Sequence, residues 1–109
     1  MLSLRRFNKL TLAIIILNWN RFELLKTTFY SLLYNTDYPI QKIIIVDNNS
    51  SDGSVVWLNF IKKKYPKLVE VIFNNKNMGG EAINQAYQRV NADLIFISEN
   101  DIEFLPRWY

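Results

Sequence analysis

The sequence predicts an α/β fold of three layers, with helices on both sides of a mainly parallel sheet. Two observations carry that expectation. Four apolar, β-branched runs recur along the chain: LTLAIIIL (10–17), KIIIVD (42–47), VEVIF (69–73) and LIFIS (94–98). Runs that are apolar throughout, rather than alternating, suit strands buried on both faces, as in parallel sheets. Between the runs the apolar spacing turns helical, three times over. The order β-α-β-α-β-α-β with short connections then implies right-handed crossovers within one sheet.

The first strand leads to a helix whose apolar face is Leu24, Leu25, Thr28, Phe29, Leu32 and Leu33. Asn20 and Glu23 are spaced as a capping box at its start. The second strand ends at Asp47 and is followed by a helix with Val55, Val56, Trp57, Phe60 and Ile61 facing inward, closed by Pro66. The lysines at 62–64 read as the solvated end of that helix, where positive charge suits the helix dipole. After the third strand, Gly79-Gly80 precede a helix carrying Ala82, Ile83, Ala86, Tyr87 and Val90. The fourth strand repeats the buried apolar signature. Residues 1–9 form an N-terminal extension and 10–109 one domain.

A chain of 109 residues, half apolar and 15% aromatic, supports one packed domain near the lower end of the usual size range. With no cysteine, disulfides and thiolate metal sites are excluded. With no histidine, the commonest general base and transition-metal ligand is excluded too. Chemistry is left to carboxylates, hydroxyls, amides, or a hard cation held by oxygen. A net charge of +3 suits an anionic ligand but is far from the basic stripe of a nucleic-acid binder, so no nucleic-acid partner is expected. The longest apolar run, about eight residues at 10–17, is too short to span a bilayer. MLSLRRFNK has no cleavage pattern after its basic pair. The expected compartment is the cytoplasm, with a peripheral place at the membrane surface as the alternative.

In open parallel sheets, ligands bind beyond the carboxyl ends of the strands. The four segments found there are Asn18-Trp19-Asn20-Arg21, Asp47 to Gly53, Asn74 to Gly80, and Glu99 to Glu103. All are rich in amides and carboxylates, and the topology should bring them to one edge. Each taken alone reads as ordinary turn and capping chemistry. Four together, with the acidic cluster Glu99, Asp101 and Glu103, point to a site. Close carboxylates repel, and a divalent cation relieves that repulsion. Glu103 is assigned instead to a solvated turn. Two motifs fail: DNNSSDG puts Gly53 one place late for a calcium loop and has Leu58 at the twelfth position, and the first strand-to-helix turn lacks the glycines of a dinucleotide fingerprint.

Over residues 11–109 these motifs resemble the family 2 inverting glycosyltransferases, which have the GT-A, Rossmann-like fold. LAIIILNWNR is similar to the family's first strand and its P-T-Y-N-R ending, with Leu17, Asn18 and Trp19 in place of the first three letters. KIIIVDNNSSDGS resembles the strand ending in D-[DN]-[GNA]-S-x-D. NKNMGGEAINQAY resembles the N-x-G stretch, and LIFISENDIEFLPRWY the D-x-D-like element with its downstream P-x-W-[LY]. The resemblance implies a strand order of 3-2-1-4 and a domain amounting to about the donor-binding half of the GT-A fold.

It also implies a function: binding a nucleoside-diphosphate sugar with Mg²⁺ or Mn²⁺, for transfer to an acceptor hydroxyl. The implied nucleotide-sugar contacts are Leu17, Asn18, Asn20, Asp47, Asn48, Asn77, Gly79 and Asn100. Asp47 and Asn48 would meet the nucleobase, a carboxylate being suited to accept from base N–H groups. Asp101 matches the metal-binding carboxylate, and Glu99 takes the first D-x-D position. Asp52 is expected to cap the second helix. No residue matches the family's catalytic base or its acceptor-binding half, so no catalytic residue is named and a saccharide, lipid-linked or protein acceptor stays open. Independent transferase activity is accordingly not expected. The chain reads as a fragment incomplete at its C-terminus, as a natural short form that binds without turning over, or as a half that a partner completes, and a homo-oligomer stays open. Two other readings remain: a non-catalytic nucleotide-sugar-binding module, or an interaction or regulatory α/β domain with Phe104, Trp108 and Tyr109 as interface residues.

Overall fold

The unbroken β-branched runs become the sheet, and the helical stretches become its two covering layers. The computed structural model describes residues 10–109, so the N-terminal extension lies outside the described residues. The order is β1 (Leu12–Asn18), α1 (Phe22–Tyr34), β2 (Lys42–Asp47), α2 (Ser54–Lys64), β3 (Val69–Phe73), a 3-10 turn (Gly79–Glu81), α3 (Ala82–Tyr87) and β4 (Leu94–Glu99). The strands form one sheet in the order β3-β2-β1-β4, and every neighbouring pair is parallel. The fold is the expected Rossmann-like α/β arrangement. Among the described residues no helix is long and apolar enough to cross a membrane.

Alternation along the strands splits the core in two. Ile14, Ile16, Ile43 and Ile45 pack with Leu25, Phe29 and Leu32 of α1 and Trp57, Leu58 and Ile61 of α2. Ile15, Ile44, Val46 and Ile72 face the other way, onto Ala82 and Ala86 of α3. Small alanines let that short helix lie close to the sheet.

Four expectations are corrected. In α2 the inner face is Ser54, Trp57, Leu58 and Ile61, while Val56 and Phe60 are 78% and 53% exposed. Six apolar residues in eleven wrap beyond one stripe, so the sheet decides which of them face inward. In α3 the helix spans only six residues, and Tyr87 is exposed. The capping box on α1 does not form. Asn20 adopts a left-handed φ of 50° and turns its side chain to the Ser51 N–H, while Asp52 Oδ2 accepts the Phe22 N–H at 2.9 Å. Finally, β4 is not buried on both faces: it has a strand on one side only, and Leu94, Phe96 and Ile97 are 37% to 49% exposed.

The segment after β4 is strapped to α1 by polar residues one helical turn apart. Ile102 N–H donates to Thr28 Oγ1 at 3.1 Å, Phe104 N–H to Ser31 Oγ at 2.8 Å, and Asn35 Nδ2 to the Phe104 carbonyl at 2.7 Å. Phe104 is 3% exposed, and Phe96, Phe104 and Trp108 stack edge to face with centroids 4.7–5.9 Å apart. Phe104 is therefore a core residue, which goes against the part the alternative interaction-domain reading gives it, and Trp108 is partly buried against it. Tyr109 stays half exposed. This strap fixes where the acidic turn leaves β4.

Candidate functional site

The carboxyl ends of β1 and β2 lie in register, with Asn18 opposite Asp47. Their side chains form the floor of the site. Asp47 is 1% exposed, and its carboxylate accepts from Asn18 Nδ2 at 2.9 Å, Ser50 N–H at 2.9 Å and Ser50 Oγ at 2.7 Å. The other end of the same amide, Asn18 Oδ1, accepts from Asn100 Nδ2 at 2.7 Å. A buried chain of polar groups thus ties β2, β1 and the turn after β4 together. Burying such groups is costly unless each finds a partner, and here each does. Ser50 Oγ also accepts the Asn20 N–H at 2.9 Å, locking the first loop to the second.

A second amide network holds the third loop. Asn74 Nδ2 donates to Asn48 Oδ1 at 3.0 Å and to Gln85 Oε1 at 2.9 Å, and Gln85 Nε2 returns a bond to Asn74 Oδ1 at 3.0 Å. Asn48 Nδ2 donates to the Gly79 carbonyl at 3.2 Å. Asn77 Oδ1 accepts the Gly79 N–H at 2.9 Å, closing a turn of the kind asparagine side chains favour. Gly79 has φ of 60°, and a Cβ there would meet nothing within 4 Å. Glycine is needed for the left-handed backbone rather than for space.

Above this framework opens a pocket of about 270 Å³. One wall is Leu17, Trp19 and Arg21; the opposite wall is Asn48, Asn77, Gly79 and Gly80; the third side is Glu99, Asn100 and Asp101. Trp19 is 51% exposed and presents a large apolar ring beside these polar groups. Arg21 Nη1 and Asp101 Oδ2 are 2.9 Å apart, an ion pair across the mouth between β1 and β4. Two larger hollows lie elsewhere. One, lined by Leu10, Leu12, Leu94, Phe96 and Trp108, sits by the amino ends of β1 and β4 and is almost wholly apolar. The other runs along α1 and contains Glu23 and Glu103. The parallel-sheet rule and the polar groups both favour the smaller pocket.

Of the residues expected at the site, Leu17, Asn48, Asn77, Gly79, Glu99, Asn100 and Asp101 line this pocket. Asn18, Asn20 and Asp47 are placed beneath it, engaged with one another's loops. Glu103 belongs to the other groove, as its assignment to a solvated turn expects. Asp52 sits at the amino ends of two helices, accepting Phe22 N–H and Ser54 N–H at 2.9 Å each. Burial pushes its carboxyl up, but the nearby Ser54 hydroxyl and the Ser54 and Phe22 amides outweigh this, so it titrates below its ordinary 3.8.

Ser50, Asn74, Gln85 and Arg21 had been given no individual role by the sequence. Ser50 and Asn74 sit inside loops that read as polar. Ser50 binds Asp47 three residues back, but its bonds to Asn18 and Asn20 span 32 and 30 residues. Those of Asn74 to Asn48 and Gln85 span 26 and 11, and no local spacing shows these longer links. Arg21 carries a motif letter, yet its partner Asp101 is 80 residues on.

The donors open to a cation here are oxygen atoms, the carboxylates of Glu99 and Asp101 and neighbouring amide carbonyls, with Arg21 paired to Asp101 beside them. Among the described residues no three or more acidic side chains gather in a cage. That donor set fits Mg²⁺ or Mn²⁺, hard cations commonly held by one or two carboxylates plus substrate phosphates and water.

Fold and pocket together define an open, Rossmann-like α/β domain of the GT-A class with its site at the carboxyl edge of the sheet. The chain belongs to glycosyl transferase family 2, whose pattern it matches over residues 13–109. The same fold occurs in the mannosyltransferase PcManGT from Pyrobaculum calidifontis, solved with GDP-Man and Mn²⁺ (TM-score 0.77, 19% identity, 91% of this chain and 29% of that one). It occurs in GalNAc-T7, solved with UDP, GalNAc and Mn²⁺ (0.77, 23%, 92% and 19%). It occurs also in S. aureus TarS 1–349 in complex with UDP-GlcNAc (0.69, 21%, 84% and 26%). The chain spans less than a third of the length of each of these structures. No curated protein matches.

Proposed function

We propose that this domain binds a nucleoside-diphosphate sugar together with Mg²⁺ or Mn²⁺ for transfer of the sugar to an acceptor hydroxyl. The observation that carries the reading is the pocket itself, where Arg21, Glu99 and Asp101 meet an amide-lined wall on a family 2 chain. The solved relatives that share the fold and hold GDP-Man, UDP or UDP-GlcNAc lend support.

Asp101 and Glu99 would hold the cation beside the diphosphate. When bound, the cation would neutralise charge developing on the departing nucleoside diphosphate. Asn48, Asn77 and the Gly79–Gly80 backbone supply amide groups to the nucleotide, and Trp19 offers a ring face for a base or sugar to stack on. Asp47 chiefly positions the loop that carries Asn48. At 1% exposure and beneath the pocket lining, it acts on the nucleotide through that loop, held by its three bonds.

Calorimetric titration with UDP and GDP, in Mn²⁺ and in chelator, tests the reading. Saturable binding that tightens with Mn²⁺ is expected. Absence of binding to either nucleotide under both conditions would leave the pocket without the proposed ligand.

A further inference from the structure

The Arg21–Asp101 pair joins a cation to the very carboxylate assigned to the metal. Arg21 Nη1 lies 2.9 Å from Asp101 Oδ2, and this is the one bond of the guanidinium among the described residues. The side chains are 53% and 34% exposed, so the pair borders the pocket rather than lying under it. The Arg21 backbone is fixed by its position: it follows Asn20, whose left-handed turn is tied to Ser50 and Ser51, and its carbonyl accepts the first helical bond of α1, from Leu25 N–H at 2.8 Å. The Asp101 backbone is fixed by the strap that follows it, beginning at Ile102 on Thr28. Two anchored backbone positions thus present a half-exposed cation and an anion to each other across the place assigned to the diphosphate.

Resting on the proposed nucleotide–metal site, we infer that Arg21 is a positioning residue that acts as an internal counter-cation. In the ligand-free protein it neutralises Asp101 and opposes binding of a free divalent cation. When a metal–diphosphate enters, Asp101 passes to the metal and the guanidinium turns its N–H groups to phosphate oxygens. The chemistry suits both states: a guanidinium pairs with carboxylate or phosphate, and five N–H groups leave most of the fork available. An exposed ion pair is a weak tie, so the exchange is reversible. The consequence is selectivity for the metal–diphosphate complex over either component alone.

Mn²⁺ and inorganic pyrophosphate serve as probes, with paramagnetic resonance of free Mn²⁺ and calorimetry as readouts. Arg21→Gln should bind Mn²⁺ alone about twofold to fivefold more tightly than the wild type, the worth of one exposed ion pair. The same variant should bind pyrophosphate less tightly in chelator. Arg21→Lys should keep the opposition to Mn²⁺ while recovering only part of the pyrophosphate affinity. Unchanged Mn²⁺ affinity in Arg21→Gln, or a fall in affinity for both probes, overturns the inference. Asp101→Asn separates the two layers. If it loses the Mn²⁺ enhancement of pyrophosphate binding while Arg21→Gln behaves as wild type, only the role of Arg21 fails; if it keeps the enhancement, the metal site fails with it.

Discussion

Asn18 donates from Nδ2 to Asp47 Oδ1 at 2.9 Å, and both residues are essentially sealed from solvent. The opposite end of the same amide accepts from Asn100. One side chain therefore couples three of the four segments that build the pocket.

Replacing Asn18 by Ala should leave the Asn100 amide without its partner and Asp47 with one donor fewer, in a buried setting. An unsatisfied buried polar group costs about 1–3 kcal/mol, so a loss of about 2–4 kcal/mol is expected from the pair. Urea unfolding measures it. A loss below about 1 kcal/mol would mean water replaces the amide freely and the floor is not a sealed network.

Asp47→Ala should weaken binding of UDP or GDP tenfold or more, from loss of the loop geometry and of a charge-assisted acceptor worth about 1.5–3 kcal/mol. It should lower stability as well, because Ser50 and Asn18 lose their acceptor. Asp52→Ala, a change at two helix ends away from the pocket lining, should affect stability and leave binding nearly intact. Binding at a temperature where both variants are folded decides the matter. Equal effects on affinity would reduce Asp47 to a turn residue.

The Asp52 carboxyl titrates below its ordinary 3.8, so folding favours its charged form. Its contribution is present above the unfolded-state value and is lost as pH falls through the depressed native value. Stability of the wild type should therefore drop more steeply than that of Asp52→Asn below about pH 4. Parallel acid-side curves would show that the Phe22 and Ser54 amides give the carboxylate no advantage.

Gln85→Ala should free Asn74 and, through it, Asn48 and the Gly79 carbonyl. The fold should persist, because Gln85 packs on neither core cluster. Amide exchange in the 74–80 loop should speed up and nucleotide affinity fall about threefold to tenfold, the worth of a neutral hydrogen bond or a little more. Unchanged exchange would place the rigidity of that loop in the backbone alone.

How much of this was legible beforehand follows from the range of each signal. The sheet was readable because Ile14–Ile16 and Ile43–Ile45 are continuous runs, which need no partner to be recognised. The edge position of β4 follows from the strand order 3-2-1-4 that the family resemblance implies, but its exposure does not, since Leu94, Phe96 and Ile97 have the composition of a strand covered on both faces. The inner face of α2 was misplaced because Val56 and Phe60 are as apolar as Leu58, and only the sheet selects among them. The cap of α1 was assigned to Asn20 by local spacing, whereas Asp52 reaches it from 30 residues away. The site followed the same division. Its position came from strand ends and family motifs, both local; the bonds from Ser50 to the first loop, from Asn74 to Asn48 and Gln85, and from Arg21 to Asp101 are long-range and show only in the folded chain.

The central claim is that Asp101 holds a divalent cation against a diphosphate in this pocket. Calorimetric titration of UDP and GDP into the wild type and Asp101→Asn, each in Mn²⁺ and in chelator, tests it most directly. The wild type should bind the preferred nucleotide at least tenfold more tightly in Mn²⁺, a change of about 1.4 kcal/mol or more. Asp101→Asn should show nearly equal affinity in the two conditions. Wild-type binding that is equally tight in chelator, or an Asp101→Asn variant that keeps the full Mn²⁺ enhancement, would contradict the account.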